Sequence, residues 1–458
     1  MSFGSLPPCD EHQVHTYHRV RAEYAKGARA IVAVVPTGGG KTRIGTEVVK
    51  GGISRGRRVL WLAHREELVT QAAASLAKIG VPHGVIKAGR PSSPNAPIQV
   101  ASVQTLTARP DEMPPADIIV VDETHHVVAS TWRALLDAYT KRELVLGLTA
   151  TPERGDRKPL GLSSGGIYQA LVVGATVAQL QKTLRNGHPI LTPMHAVGPA
   201  RYQRELWKSP IDGLRDHARR ADGTMRPTIY FAGSVPEAEQ VARACNAHGI
   251  RAASIDGKLG EDERAMRIAR FSRGDLDVLT NVFVLTEGFD VPRTEVCAIG
   301  RGCSAASTFL QMLGRALRAS PATGKKDALL IDYCGLSDVH GFVDDERDFS
   351  LDGRAIALRE KNPIQQCKAC GAVFRPAPRC PLCLVAAPKM TRPAREVKRS
   401  ETVQITRDTV TPWSERKAFF DSLCATQRSR AYAPKWVGVQ YRHRFGMWPP
   451  FRIPGAAA

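Results

Sequence analysis

The chain has 458 residues, enough for roughly two to four domains that each bury a core. Apolar residues make up 43% and charged residues 24%, which excludes wholesale disorder, collagen-like chains and disulfide scaffolds. A formal net charge of +20 favours a polyanionic partner, most simply nucleic acid.

Residues 351–458 carry 13 of those 20 excess charges. The longest clean apolar run, Ala30–Val35, falls far short of the about 18 residues a membrane span needs. Met1–Gln13 lacks the basic start and apolar stretch of a secretory signal. The expectation is a soluble, cytoplasmic protein without a membrane partner.

In chain order, Ala30–Val35, Val59–Ala63, Ile118–Val121 and Leu144–Leu148 are short runs rich in Val, Ile and Leu. They read as buried parallel strands. Glu66–Ile79 places Leu68, Ala72, Leu76 and Ile79 at helical spacing. A second series of strands follows: Thr228–Phe231, Ala252–Ile255, Asp277–Thr280, Val296–Ile299 and Ala328–Ile331. Helical patterns at Pro236–His248, Glu261–Ser272 and Ser307–Leu317 separate them. This is α/β organisation in two blocks. The polar stretch 195–226, broken by Pro199, Pro210, Gly213 and Gly223, reads as their connection. Beyond 350 come a connector, Leu351–Gln366, and a Pro-, Thr- and charge-rich linker, Ala386–Ser414. Glu415–Pro450 regains aromatics and reads as a small helical module.

Pro36-Thr37-Gly38-Gly39-Gly40-Lys41-Thr42 joins the first strand to a helix beginning at Thr42. A glycine turn lets backbone N–H groups approach phosphate closely, and the helix N-terminus adds positive potential. Lys41 would reach the β- and γ-phosphates and Thr42 would ligate Mg²⁺. Val35 stands where the strict phosphate-loop pattern has its first glycine. About 80 residues on, Val120-Val121-Asp122-Glu123-Thr124-His125-His126 ends another strand. Asp122 can hold Mg²⁺ through water, Glu123 can polarise an attacking water, and His125 or His126 can couple the site to a moving neighbour.

With this pair the chain resembles superfamily 2 helicases of the DEAD/DEAH-box type, and more closely the bacteriophage and prophage members with a C-terminal zinc ribbon. The resemblance covers nearly the whole chain. Ala63–Leu68 resembles motif Ia, Ala101–Leu106 the following strand-contacting motif, and Leu148–Pro152 motif III. Thr228–Ala232 resembles motif IV, Asn281–Asp290 motif V and Gln311–Arg318 motif VI. Asp348–Gly353 and Tyr441–Pro449 also look like stretches of phage members. Thr124 replaces the alanine of the usual acidic box, which tunes the site.

The resemblance implies two tandem RecA-like lobes, a small zinc ribbon and a basic, partly helical tail. The boundaries expected are lobe 1 at 1–195, lobe 2 at 196–350, connector at 351–366, ribbon at 367–383, linker at 384–414 and module at 415–458. Gln13, 28 residues before Lys41, would read adenine. Thr37, Gly38, Gly39, Gly40, Lys41, Thr42, Asp122, Gly288 and Asp290 would complete the ATP and Mg²⁺ site. His125, Thr149 and Thr151 would couple hydrolysis to strand binding. Arg65, Gln104, Thr105, Ser234 and Thr286 would touch the nucleic-acid strand.

Gln311, Gly314, Arg315 and Arg318 have the spacing of a single helix face. Pointed across a cleft, Gln311, Arg315 and Arg318 could serve a nucleotide held by the first block, the arginines stabilising charge on the transferring phosphoryl group.

Cys367-x2-Cys370-x9-Cys380-x2-Cys383 offers four thiolates at zinc-ribbon spacing, which suits a closed structural Zn²⁺ site. A redox pair, two disulfides or an iron–sulfur cluster would use the same cysteines. The tail combines Arg and Lys with Trp413, Phe419, Phe420, Tyr432, Trp436, Tyr441, Phe445 and Trp448. Those rings either stack on bases or build a small core, with the second favoured for Phe419, Phe420 and Trp436.

The function expected is an ATP-dependent helicase or translocase on nucleic acid. DNA is the expected substrate, with RNA as an alternative, in phage or bacterial replication or recombination. Proteins of those pathways are the expected partners. Two rivals remain: a duplex-DNA translocase that separates no strands, and a zinc-ribbon DNA-binding regulator with an ATP switch.

Overall fold

A computed structural model describes residues 8–87, 95–126, 135–136, 139, 143–154, 156, 158–198, 209–286, 289–359, 364–387, 413–430, 432, 435–445 and 449. Residues 1–390 form one compact unit and residues 391–458 a second.

In the first unit, β1 (Ala30–Val34), β2 (Val59–Ala63), β3 (His83–Ile86), β4 (Ile98–Ser102), β5 (Ile118–Asp122), β6 (Leu144–Thr149) and β7 (Ala170–Val173) form a parallel sheet. The order is β3-β4-β2-β5-β6-β1-β7. Both faces are covered, and residue alternation sorts the side chains. Ile31 and Ala33 enter one core with Trp61, Leu76 and Leu146, while Val32 and Val34 enter the opposite core with Leu60, Leu62 and Val121. The C-terminal ends of β5, β6 and β1 therefore lie side by side.

A hairpin, β8 (Leu184–Arg185) and β9 (His188–Pro189), leads into the second sheet. That sheet comprises β10 (Met194–Val197), β11 (Thr228–Phe231), β12 (Ala252–Ile255), β13 (Val278–Asn281), β14 (Val296–Ile299) and β15 (Ala328–Asp332). A small pair, β16 (Arg347–Asp348) and β17 (Ala357–Leu358), follows. Then β18 (Gln365–Gln366) and β19 (Ala372–Phe374) close the order β12-β13-β11-β14-β15-β10-β19-β18.

Three expectations change here. The stretch 195–226 is not merely a connection. β10 lies inside the second sheet, parallel to β15, and the helix Pro210–His217 buries Ile211 and Leu214 beside Val197 and Tyr230. The expected division at 195/196 cuts β10, whereas Leu180, Ile190 and Leu191 already pack in the lobe 2 core. Polar composition hid this, because one short strand suffices once β15 supplies its partner.

Second, the expected ribbon boundary at 367 cuts the β18–β19 pair, which extends the lobe 2 sheet. β19 pairs antiparallel with β10, and Cys367, Ala372, Phe374 and Cys380 are buried with Val197, Tyr230 and Ile331 in one core. Third, Gln311, Gly314, Arg315 and Arg318 do not share one helix. The helix Ala306–Gly314 stops at Gly314, with Arg315 as its cap. Gly314 sits so tightly on Thr37 that an added Cβ would fall 2.6 Å from the Thr37 Cβ. The chain leaves the helix there, and Arg318 forms a bridge with Leu191.

The segment after lobe 2 returns to lobe 1. Phe349 and Leu351 pack on the lobe 1 core, and the Leu351 carbonyl accepts the N–H groups of Leu160 and Gly161, each at 2.8 Å. In the second unit, the helices Trp413–Ser429 and Lys435–Phe445 bury Phe420, Leu423, Cys424, Val437 and Tyr441, with Phe419 and Trp436 packed alongside. Phe419, Phe420 and Trp436 thus belong to a small core, as favoured from sequence. Most of the expected linker, 388–412, lies outside the described residues. No described helix is long and apolar enough to cross a membrane.

Candidate active site

The phosphate loop follows β1 and opens the helix Lys41–Ile53. Gly38 and Gly40 have φ of 86° and 88°, a region that L side chains avoid. Space forbids a side chain as well: an added Cβ on Gly40 would come within 2.2 Å of Gln13 Nε2. Lys41 and the acidic box meet at the strand ends. Lys41 Nζ lies 2.7 Å from Glu123 Oε1, both side chains nearly buried. Asp122 ends β5 and accepts the N–H of Glu123 at 3.0 Å. Glu123 itself is held at a φ of 48°, a local strain typical of working sites.

His125 begins a chain of contacts that crosses the lobes. Its Nδ1 lies 3.0 Å from Thr149 Oγ1 and 3.5 Å from Glu123 Oε2. Its Nε2 lies 3.2 Å from Gln311 Nε2, which also donates to Thr151 Oγ1 at 3.4 Å. An amide nitrogen only donates, so this network assigns the His125 proton to Nδ1. Glu153 adds a second crossing: its buried Oε2 accepts the Ser307 N–H at 3.2 Å, in the first turn of the helix that carries Gln311. That position suits a carboxylate, because helix N-termini are electropositive.

Arg315 donates to the carbonyls of Phe289 at 2.7 Å and Thr286 at 2.6 Å. Arg318 pairs with Asp290 and donates to Phe289 O at 3.3 Å. Both arginines line a cavity of about 650 Å³ with Thr37, Gly38, Lys41, Asp122 and Glu123. The hairpin residues Arg185, Asn186 and His188 line it too, and Arg185 is ion-paired with Asp10.

The expected residues divide accordingly. Thr37, Gly38, Gly40, Lys41, Thr42, Asp122, Glu123, Asp290, Arg315 and Arg318 line one cavity. Gln311, His125, Thr149 and Thr151 are joined beside it. Gln13 is not in the lining; it is buried against the loop, with Nε2 3.4 Å from Gly39 O. Gly288 lies outside the described residues. On the strand-contact side, Gln104 and Ser234 are exposed and Arg65 is half-buried at a helix start. Thr105 and Thr286 are buried, and Thr286 Oγ1 donates to the Phe283 carbonyl at 2.5 Å.

Sequence reasoning missed Glu153, Arg185 and Arg301. Glu153 was within reach, one residue beyond motif III. The Arg301 guanidinium lies 3.3 Å from the centroid of the half-exposed Phe283 ring, and no local spacing announces that pair.

Two family models match this geometry. Residues 7–154 match the type III restriction enzyme res subunit, and residues 214–320 match the helicase conserved C-terminal domain. The chain belongs to the superfamily 2 helicases.

This helicase is 27% identical to a 51.5 kDa protein of a Lactococcus phage over 74% of each chain. It is 25% identical to IRC3 of Saccharomyces cerevisiae, provisionally named an ATP-dependent helicase, over 69% of this chain and 50% of that protein. A Schizosaccharomyces pombe relative, also named irc3, is 27% identical over 68% of this chain and 55% of its own. The chain thus spans about half the length of those fungal relatives. Among solved structures, a fragment provisionally described as the HsdR subunit of a type I restriction enzyme from Vibrio vulnificus superposes with a TM-score of 0.53, at 22% identity, covering 76% of this chain and 70% of that one. The two sheets are therefore RecA-like lobes, and the helicase hydrolyses ATP.

The ribbon cysteines form a second candidate centre. All four Sγ atoms lie within 4.8 Å of one another, with Cys367–Cys383 at 3.5 Å and Cys370–Cys380 at 3.6 Å. Sulfurs about 2.3 Å from a tetrahedral ion sit about 3.8 Å apart, so the cluster fits one metal. A disulfide needs about 2.05 Å, and none forms. Backbone N–H groups of Leu382 and Cys383 approach Cys380 Sγ at 3.4 and 3.5 Å.

Proposed function

We propose that this helicase is a DNA-stimulated motor that uses ATP hydrolysis to move along or unwind DNA. The observation that supports it most is the joining of Lys41, Asp122 and Glu123 from lobe 1 with Arg315 and Arg318 from lobe 2 around one cavity. A nucleotide there supplies the phosphoryl group, and Mg²⁺ supplies positive charge at its oxygens. Thr42 and Asp122, which both line the cavity, would hold that ion. Lys41 turns from Glu123 toward phosphate, which frees Glu123 to orient water. Arg315 and Arg318 offer forked, permanently charged donors from the other lobe. Closing and opening of the lobes then passes through Gln311 to His125 and Thr151, and through Glu153 to the helix at Ser307.

Gln13 is proposed to contact the base from behind the loop. Arg65, Gln104 and Ser234 are proposed to hold the strand. The Cys367, Cys370, Cys380 and Cys383 cluster is proposed to bind structural Zn²⁺. A phage or bacterial replication or recombination role, in the cytoplasm, agrees with the phage relative. A duplex translocase is the second reading, favoured by the lobe 1 match to a restriction-enzyme res subunit.

ATP hydrolysis measured side by side with single-stranded DNA, duplex DNA and RNA tests the reading. Stimulation by DNA is expected, and no hydrolysis with any nucleic acid would reject it. Strand-displacement against triplex-displacement assays separate unwinding from duplex translocation.

A further inference from the structure

We propose that Lys325 is a positioning residue for the arginine pair: its side chain ties the end of motif VI to the loop after motif V and so fixes where Arg315 and Arg318 meet phosphate. The inference rests on the helicase reading above. Lys325 is buried, only 8% exposed, and belongs to no motif. It follows Gly324, whose φ of 68° turns the chain back toward β15. Its Nζ donates to the carbonyls of Thr294, Ala316 and Arg318, each at 2.6 Å, and lies 3.3 Å from Pro292 O. Three N–H groups thus meet three short acceptors, and no carboxylate among the described residues takes part.

The acceptors belong to two segments. Pro292 and Thr294 follow Asp290, the partner of Arg318. Ala316 and Arg318 lie beyond the cap of the motif VI helix, where their carbonyls have left the helical ladder. The Lys325 ammonium therefore clamps from behind the same segments that Arg315 and Arg318 join in front. Removing it would leave buried carbonyls without their donor and let this turn shift.

The clamp needs the charged form, since a neutral amine loses one donor. Burial lowers the pKa of Lys325 to about 7. Glu295 and Asp327 favour the ammonium, while Arg226 and Arg318 oppose it. Glu295 is already committed to Arg220 and Arg226. Deprotonation above about 7 would loosen the clamp and lower turnover.

The experiment compares the full-length protein with K325M, K325R, R318A and the R318A/K325M double variant in DNA-stimulated ATP hydrolysis. A displacement of about 1 Å at a catalytic group costs roughly 10²-fold, so K325M should lower kcat by about that factor, with KM for ATP changed less than about threefold. The double variant should lose less than the product of the two single losses, because Lys325 acts in part through that arginine. K325R, permanently charged, should lose the alkaline fall in kcat expected of wild type. A K325M protein with wild-type kcat, additive losses in the double variant, or the same alkaline fall in K325R would each overturn the proposal. If K325M fails to fold, the K325R pH profile alone decides. Inactive wild type would instead reject the helicase reading itself.

Discussion

Glu123 and Gly40 show how much of the chemistry depends on single backbone positions. Glu123 holds Lys41 at 2.7 Å and faces His125, so it is within reach of both the phosphate side and the coupling side. Glu123→Gln keeps the shape and removes the base. Hydrolysis should fall about 10²- to 10⁴-fold with ATP binding retained, measured as single-turnover rate against nucleotide affinity. Gly40 is fixed by conformation and by space. Gly40→Ala would set a methyl against Gln13 at a φ that costs L residues about 1–2 kcal/mol. Weaker ATP binding and a lower melting temperature are expected, and unchanged values in both would refute the steric argument.

At the scale of elements, the motif VI helix and the ribbon hairpin depend on neighbours more than on their own sequence. Gln311 lies within the helix and meets His125 and Thr151 beside the cavity, whereas Arg318 reaches the cavity from beyond the helix end. Its partner Asp290 and the carbonyls that Lys325 holds are distant in sequence, so helical spacing alone could not reveal the break. The ribbon shows the same dependence. β19 extends the lobe 2 sheet, and Cys367 and Cys380 share its core. Chelation of metal, or Cys380→Ser, should therefore lower the main melting transition of residues 1–390 by several degrees. A small separate transition that leaves the main one in place would show the ribbon folding as an independent appendage.

At the scale of the whole molecule, the chain forms two compact units. The motor lobes carry little of the net charge, whereas the sequence of 391–458 holds 13 basic and 5 acidic residues. Deleting 391–458 should weaken DNA binding and flatten its dependence on salt, by about 0.9 in slope for each phosphate the tail neutralises. Titrations at several ionic strengths check this, and an unchanged slope would exclude the tail from the DNA-binding surface. ATP hydrolysis without DNA should persist, because every lining residue of the cavity lies before 391.

The strands β1, β2, β5 and β6 of lobe 1 and β11 to β15 of lobe 2, the phosphate loop, the acidic box and the cysteine cluster were legible in the sequence. Each rests on local chemistry: a run of β-branched residues, glycines before a helix, carboxylates at a strand end, or paired thiols. What those parts touch became visible only in the folded chain. Folding placed β10 inside the second sheet despite its polar surroundings. It ended the motif VI helix at Gly314, joined the ribbon to lobe 2 and turned Gln13 onto the loop. It also brought in Glu153, Arg185 and Lys325, which no motif marks. The physical reason is common to all of them. Their roles depend on hydrogen bonds and packing between segments far apart in the chain, and no local spacing encodes such long-range pairings.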